Sequence, residues 1–78
     1  MLKTILVDDE PLAVSRLKRL LQPYQDDFEV IAEAGNGLDG LELIKNLQPD
    51  LIFLDIEMPM LSGFELLAQL EQMPLVVF

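Results

Sequence analysis

The sequence predicts an α/β domain with a doubly wound parallel sheet, in which helices cover both faces. Short apolar runs alternate along the chain with longer segments of helical periodicity. The run at 51–54 is apolar at every position, which is typical of a strand covered on both faces. The resulting order, β-α-β-α-β-α-β, favours right-handed crossovers between parallel strands. If the strand order is 2-1-3-4, the first helix packs on one face and the other two helices pack on the opposite face.

An amphipathic helix follows the first predicted strand, which covers residues 3–7. Pro11 stands in the first turn, where helices favour proline, and the helix is expected to continue to about residue 22, where Pro23 stops it. The apolar stripe expected to face the core consists of Ala13, Leu17, Leu20 and Tyr24, widened by Val14 and Leu21.

The segment 28–34 alternates between two kinds of side chain, which predicts a half-exposed edge strand. The residues expected on one side are Phe28, Val30, Ala32 and Ala34, with Glu29, Ile31 and Glu33 on the other. A Gly-Asn-Gly turn then leads into a second helix, which Asn36 can cap with Asp39 three positions later and which Pro49 closes. The expected apolar face of this helix consists of Leu38, Leu41, Ile44 and Leu47, widened by Leu43.

The strand at 51–54 is expected to end near Asp55, because Pro59 cannot donate a ladder hydrogen bond. Ser62 and Glu65 form the pattern of a capping box, so a third helix is expected from there to about residue 72. The side chains that this helix is expected to bury are Leu67, Leu70 and either Phe64 or Leu66. The last apolar run, 75–78, predicts a fourth strand. A bare apolar edge strand is a pairing hazard, so we expect this chain to be part of a longer doubly wound domain.

The composition argues against several classes of function. The chain has 14 acidic and 5 basic residues and a net charge of −9, which argues against direct nucleic-acid contact by this segment. Because it has no cysteine and no histidine, it offers neither thiolate ligands nor the commonest general base. No apolar run approaches the roughly 18 residues of a membrane span, and no secretory pattern opens the chain. We therefore expect a soluble, cytoplasmic protein without a membrane partner.

Acidic residues follow the two strands that are expected to lie side by side. Asp8 and Asp9 come after the first strand and Asp55 after the third, so three carboxylates should meet at the carboxyl end of the sheet. Their mutual repulsion favours a divalent cation, and Mg²⁺ suits a site of oxygen ligands to which the backbone carbonyl of Glu57 can contribute. Beside such a metal an aspartate can be the nucleophile toward a phosphoryl group. The alternative is that these acids only form turns and caps at strand ends.

Two motifs in these segments resemble receiver domains of two-component response regulators. They are Ile5-Leu6-Val7-Asp8-Asp9-Glu10-Pro11 and Leu54-Asp55-Ile56-Glu57-Met58-Pro59, followed by Gly63. The stretches Asp-Asp-Glu-Pro-Leu-Ala, Asp-Ile-Glu-Met-Pro and Ser-Gly-Phe-Glu-Leu-Leu resemble regulators that carry a downstream LytTR DNA-binding domain. The resemblance covers the whole chain and implies a flavodoxin-like fold, with five strands in the order 2-1-3-4-5 and five helices.

The resemblance also implies a role for each acidic residue of the site. Asp55 would accept a phosphoryl group from the phosphohistidine of a sensor histidine kinase, with Mg²⁺ as the cofactor. Asp9 would bind the metal directly, Asp8 largely through water, and Glu57 through its backbone carbonyl. Such a domain catalyses its own phosphorylation without being a turnover enzyme, and it passes the signal to an output domain that regulates transcription.

The family pattern continues past residue 78 of this chain. It includes a serine or threonine after the fourth strand, a lysine at the end of the fifth strand, and two last helices that build the dimerising face. Residues 1–78 are therefore expected to be the N-terminal part of a receiver domain, incomplete because the fifth strand and the last helices are absent. Whether residues 1–78 alone can be phosphorylated or can switch does not follow from the sequence.

Two other classes of function also stay open. A phosphohydrolase of the haloacid dehalogenase type uses an aspartyl nucleophile too, but it needs an aspartate two positions later, where this chain has Glu57. A structural fragment would instead assemble through its open sheet edge, and on that ground a homodimer or strand-exchanged oligomer is expected.

Overall fold

A four-stranded parallel sheet forms the centre of the protein, whose computed structural model describes residues 1–78. Strands β1 (Leu2–Val7), β2 (Phe28–Ala34), β3 (Leu51–Leu54) and β4 (Leu75–Val77) alternate with helices α1 (Pro11–Leu21), α2 (Gly37–Leu47) and α3 (Gly63–Ala68). The strands lie in the order β2-β1-β3-β4 and all neighbours are parallel, which confirms the predicted sheet. None of the helices is long and apolar enough to cross a membrane.

The larger core lies between the sheet and the pair of helices α2 and α3. The central strands β1 and β3 contribute alternate side chains to it, and Ile5 and Ile52 are fully buried there. The other buried members are Val7, Ala34, Leu41, Ile44, Leu54, Met58, Leu61 and Leu66. On the opposite face, where α1 packs, Thr4 and Leu6 are fully buried as well. Burial on both faces explains why the central strands have apolar residues at successive positions.

The edge strand β2 differs from its predicted alternation. Its pairing with β1 shifts register and leaves Ile31 as an extra residue. Such a bulge moves the side chains that follow it to the other face of the sheet. The four apolar residues predicted for one side are therefore divided, with Phe28 and Val30 on the α1 face and Ala32 and Ala34 on the α2 face. The prediction of a single apolar side was wrong, whereas the edge position was right.

The apolar stripe of α1 is narrower than predicted. Val14 is the buried residue of this helix, and Leu17 and Leu21 are partly buried. Leu20 and Tyr24, which were expected in the same stripe, are 64% and 56% exposed. At about 100° per residue, Leu20 lies about 120° around the helix from Val14, so the two side chains cannot both face the sheet.

Helix α2 begins and packs through small residues. The N–H of Asp39 donates to Oδ1 of Asn36 at 2.8 Å, which confirms the predicted cap. The buried positions follow the spacing i, i+3, i+4, i+7 and are Gly37, Gly40, Leu41 and Ile44. Leu38 and Leu47 lie in the terminal turns and are about half exposed, contrary to the prediction. A Cβ atom at Gly40 would lie 2.7 Å from the side chain of Val7 in β1, so this glycine allows the helix to lie close to the sheet.

Helix α3 ends at Ala68, before the predicted residue 72. The chain must return from it to the start of β4, where the N–H of Leu75 donates to the carbonyl of Asp50 at 3.0 Å. Pro74 also disfavours helical geometry for the residue before it. Leu66 is the fully buried residue of α3, which settles the predicted alternative between it and Phe64.

Candidate metal-binding site

The pairing of β1 with β3 brings the acidic residues to one edge of the sheet. Val7 and Leu54 are partners in the two strands, so the residues that follow them leave the sheet at the same level. The ladder continues for one more bond, in which the N–H of Asp55 donates to the carbonyl of Val7 at 2.9 Å. On the other side of β1, the N–H of Asp8 donates to the carbonyl of Ala34 at 3.0 Å. These bonds fix the backbone from which both carboxylates project.

Three carboxylates meet at this edge. Asp8, Asp9 and Asp55 each offer an oxygen, and these oxygens all lie within 4.8 Å of one another. Asp8 and Asp55 are partly buried, whereas Asp9 is exposed. The convergence predicted from the strand ends is therefore present in the structure. It requires the β1–β3 adjacency, because Asp8 and Asp55 are remote in sequence.

Hydrogen bonds orient two of the three carboxylates. The N–H of Glu10 donates to Oδ1 of Asp8 at 2.9 Å, and the N–H of Glu57 donates to Oδ1 of Asp55 at 3.2 Å. Each bond spans two residues, as in turns closed by an aspartate side chain. The second oxygen of the Asp8 carboxylate and that of the Asp55 carboxylate accept no hydrogen bond from the protein. Each of these two oxygens can therefore act as a ligand or a nucleophile.

No basic side chain neutralises the cluster. The salt bridge of the chain joins Lys18 and Glu33 at 2.6 Å, on the face of the sheet that α1 covers. Even at the 4.8 Å upper limit of their separation, two carboxylate oxygens repel by about 3.5 kcal/mol at an effective dielectric constant of about 20. A cation with a preference for oxygen ligands offsets this repulsion, and Mg²⁺ and Ca²⁺ both have that preference.

The loop between β3 and α3, residues 55–62, begins at Asp55 of the cluster and ends where α3 starts. Glu57 is exposed and its carboxylate is not a member of the acidic cluster, whereas Met58 and Leu61 are buried. The N–H of Gly63 donates to the carbonyl of Ile56 at 2.8 Å and closes the loop. A Cβ atom at Gly63 would lie 2.7 Å from the carbonyl oxygen of Asp55, so a glycine is needed where α3 passes the site.

The capping box at the start of α3 is present with both of its bonds. The N–H of Glu65 donates to Oγ of Ser62 at 3.1 Å, and the N–H of Ser62 donates to Oε1 of Glu65 at 3.0 Å. The hydrogen bonds from the Ser62 backbone and hydroxyl hold the pKa of Glu65 below its ordinary value of 4.5. The ionised glutamate therefore helps to fix the helix that follows the site loop.

An apolar groove that was not predicted from the sequence adjoins the acidic cluster. Its volume is about 570 Å³, and Asp8 and Asp55 lie in its wall. The apolar part of its lining includes Leu6, Val14, Leu17, Phe53, Val77 and Phe78. The successive apolar residues of β3 and β4 indicated that both faces of these strands are buried by other segments. On the α1 face, α1 covers only part of these strands, and the groove is the part that it leaves open.

The family model, the related sequences and the related structures that match this chain all point to one family. The family model described as "Response regulator receiver domain" matches residues 4–78. The chain is 45% identical over 80 residues to the transcriptional regulatory protein BtsR of Salmonella typhi, and it spans 33% of the length of that relative. The response regulator domain of Thermotoga maritima CheB is 37% identical, with a TM-score of 0.78 over 86% of this chain and 49% of that one.

The chain is also similar to a solved structure of a complex that contains Mg²⁺. The CheX-CheY-BeF3-Mg+2 complex of Borrelia burgdorferi matches with a TM-score of 0.75 and 28% identity, over 85% of this chain and 49% of that one. The sheet order β2-β1-β3-β4 with flanking helices is the flavodoxin-like fold of these neighbours.

Proposed function

Because the chain belongs to the response regulator receiver domain family, we propose that it accepts a phosphoryl group from a sensor histidine kinase onto Asp55. The observation that carries this proposal is the meeting of Asp8, Asp9 and Asp55 within 4.8 Å. The partly buried Asp55 has one oxygen held by the N–H of Glu57 and the other free to attack. The attack forms an O–P bond while the P–N bond to the kinase histidine breaks, and its electron pair stays on the histidine nitrogen.

The proposed cofactor is Mg²⁺, held by oxygen atoms alone. Asp9 would bind it directly, Asp8 largely through water, Asp55 through a carboxylate oxygen and Glu57 through its backbone carbonyl. The donor set of three clustered carboxylates is the chemistry that this hard cation prefers. When bound, the ion neutralises negative charge on the phosphoryl oxygens. The Borrelia burgdorferi neighbour is a complex with BeF3 and Mg+2, which supports the same choice here.

We further propose that this chain is one part of a longer protein. We place residues 1–78 in the N-terminal part of a receiver domain, because the chain spans 49% of the Thermotoga maritima neighbour and 33% of BtsR. The signal would pass to a downstream DNA-binding domain of the LytTR type in the cytoplasm. The net charge of −9 supports leaving DNA contact to that domain rather than to this segment.

Receiver domains are signalling modules rather than turnover enzymes, and the site supports this distinction over a phosphohydrolase. A haloacid dehalogenase-type enzyme needs a general acid two positions after the nucleophile. Glu57 occupies that position, but its side chain is exposed and lies outside the acidic cluster. We expect essentially no turnover of p-nitrophenyl phosphate with Mg²⁺, and sustained turnover that Asp55→Asn abolishes would favour the enzyme instead.

Self-association is the second candidate function, because β4 leaves an apolar edge. Leu75, Val77 and Phe78 are exposed there, and the ring of Phe78 contacts the exposed ring of Phe64 at a centroid distance of 5.7 Å. A homodimer or strand-exchanged oligomer would cover this edge. We expect light scattering after size-exclusion chromatography to give a dimer or larger species, and a monomer at high concentration would contradict this second function.

The phosphorylation proposal is tested with a small-molecule donor. The chain is incubated with acetyl phosphate and Mg²⁺, and the expected product is a hydroxylamine-sensitive phosphate that Asp55→Asn eliminates. Asp26→Asn is the matched control, because Asp26 is an exposed aspartate in the turn before β2. Labelling that persists in Asp55→Asn, or that is lost equally in Asp26→Asn, would refute the assignment of Asp55.

A further inference from the structure

The site loop, residues 55–62, contains a strained turn near its end. The N–H of Leu61 donates to the carbonyl of Pro59 at 2.8 Å, and Met60 between them has a φ of 73°. A hydrogen bond across three residues with a positive central φ defines a γ-turn of the rare, strained kind. A methionine in this conformation persists only where the surrounding structure holds it.

Gly37, the first residue of α2, is the neighbour that contacts this turn. A Cβ atom there would lie 2.1 Å from the carbonyl oxygen of Leu61 and 2.7 Å from its Cβ, whereas ordinary contact begins at 3.4 Å. Two nearby glycines differ from it. A Cβ at Gly35 would meet nothing within 4 Å, and a Cβ at Gly40 would meet the side chain of Val7. Among these three glycines, only Gly37 contacts the backbone of the site loop.

The first turn of α2 is held by its cap and by the core, whereas the turn that it contacts is exposed on its outer side. The Asn36 cap fixes its first turn, and Leu41 and Ile44 anchor it in the core. The outer side of the loop is free, because Pro59 and Met60 are exposed. A side chain at position 37 would therefore force the carbonyl of Leu61 and α2 apart by more than 1 Å, and the exposed turn at Pro59 and Met60 is the part of this contact that is free to move.

We propose that Gly37 is a positioning residue for the metal site. Its missing side chain lets α2 lie against the carbonyl of Leu61, which holds the γ-turn in place. Because Gly63 fixes the start of α3 against the carbonyl of Asp55, the loop is held at both ends, and the place of the Glu57 carbonyl between them is set. Ligand distances in a formed metal site lie within about 0.2 Å of their ideal values, so a displaced loop would move the Glu57 carbonyl out of place. The metal part of this inference rests on the proposed function.

The test compares three alanine substitutions in the full chain. Gly37→Ala changes the contact with the loop, Gly35→Ala makes the same chemical change two residues earlier, and Gly40→Ala perturbs packing elsewhere on α2. Mg²⁺ affinity is measured by calorimetric titration, and amide hydrogen exchange of Leu61 and Gly63 is measured by NMR without metal. We expect Gly37→Ala to bind Mg²⁺ about tenfold more weakly and to exchange both amides faster.

The controls separate positioning from general destabilisation. Gly35→Ala should keep Mg²⁺ affinity and exchange within about twofold of the unchanged chain, and Gly40→Ala should lower the melting temperature while keeping Mg²⁺ affinity within about twofold. Unchanged affinity and exchange in Gly37→Ala would overturn the proposal, and so would an equal loss of affinity in Gly40→Ala.

Two further outcomes are also decisive. If Gly37→Ala does not fold, Asn36→Ala loosens the first turn of α2 more gently, and unchanged exchange of the Leu61 amide in that variant would overturn the proposal. If the unchanged chain itself binds no Mg²⁺, the proposed metal site fails. The exchange measurements then still decide whether Gly37 holds the loop, so the two failures are distinguishable.

Discussion

Asp9→Asn should stabilise the chain without divalent cations and make it less stable than the unchanged chain when Mg²⁺ is abundant. The hydrogen bonds of the site go to the carboxylates of Asp8 and Asp55, whereas the Asp9 carboxylate, which lies within 4.8 Å of both, accepts none. Asparagine has nearly the same shape but no charge. The substitution therefore removes two repulsive pairs and one ligand of the proposed metal site, and it leaves the backbone bonds of the site intact.

The magnitude follows from the distance and the exposure of Asp9. At the 4.8 Å upper limit of their separation each pair repels by at least about 3.5 kcal/mol at a dielectric constant of about 20 and by at least about 0.9 kcal/mol at about 80. Asp9 is exposed, so the aqueous value is closer, and two pairs give about 2 kcal/mol. For a domain of this size that is an increase in melting temperature of about 8 to 16 °C. Mg²⁺ at about 100 times its dissociation constant stabilises the unchanged chain by about 2.7 kcal/mol, enough to reverse the order.

The assay is thermal unfolding followed by circular dichroism, in EDTA and in a series of Mg²⁺ concentrations. The melting curves of the two proteins should cross as Mg²⁺ rises, and Asp26→Asn should follow the unchanged chain throughout. A lower melting temperature for Asp9→Asn in EDTA would show that the carboxylates do not repel as the geometry implies. Equal stabilisation of both proteins by Mg²⁺ would remove Asp9 from the metal site.

Three other substitutions test the fold around the site. Glu65→Gln should destabilise the chain at neutral pH, because the capping bonds to Ser62 lower the pKa of Glu65. Urea unfolding should show that the difference in stability from the unchanged chain is lost as the pH falls below 4.5 through that lowered pKa. A difference that does not depend on pH would contradict this. Leu66→Ala should reduce the free energy of unfolding by about 2 to 5 kcal/mol because the side chain is fully buried, whereas the exposed Leu12 should tolerate alanine with a change of less than about 0.5 kcal/mol. Met60→Gly should relieve about 1 to 3 kcal/mol of strain at a φ of 73°, against about 0.5 to 1 kcal/mol of extra entropy in the unfolded chain. The melting temperature should therefore rise, and a decrease larger than this entropy cost would show that the turn is not strained.

The acidic cluster was predictable because its geometry follows from one rule. The carboxyl ends of adjacent parallel strands share an edge, so residues directly after two such strands must be neighbours. Asp8, Asp9 and Asp55 satisfied this condition once β1 and β3 were placed side by side. The same kind of local pattern correctly located the Asn36 cap and the Ser62 capping box, whose bonds span three residues.

The faces of individual elements were less predictable. Periodicity identified α1 and α2 as amphipathic, but it could not say which turns meet the sheet, and Leu20, Tyr24, Leu38 and Leu47 are exposed. Alternation identified β2 as an edge strand but not the bulge at Ile31, because a bulge is a property of the pairing with β1. The early end of α3 likewise depends on where β4 begins.

Neighbouring residues along the chain were sufficient to locate the strands, the helix starts and the acids at the strand ends. Turns, caps and periodicity depend on contacts between residues a few positions apart, and these are visible in the amino-acid order. The contact of Gly37 with Leu61, the groove beside Asp55 and the division of β2 between two faces arose only from packing. They depend on distances between segments remote along the chain, which exist only after the helices have docked on the sheet.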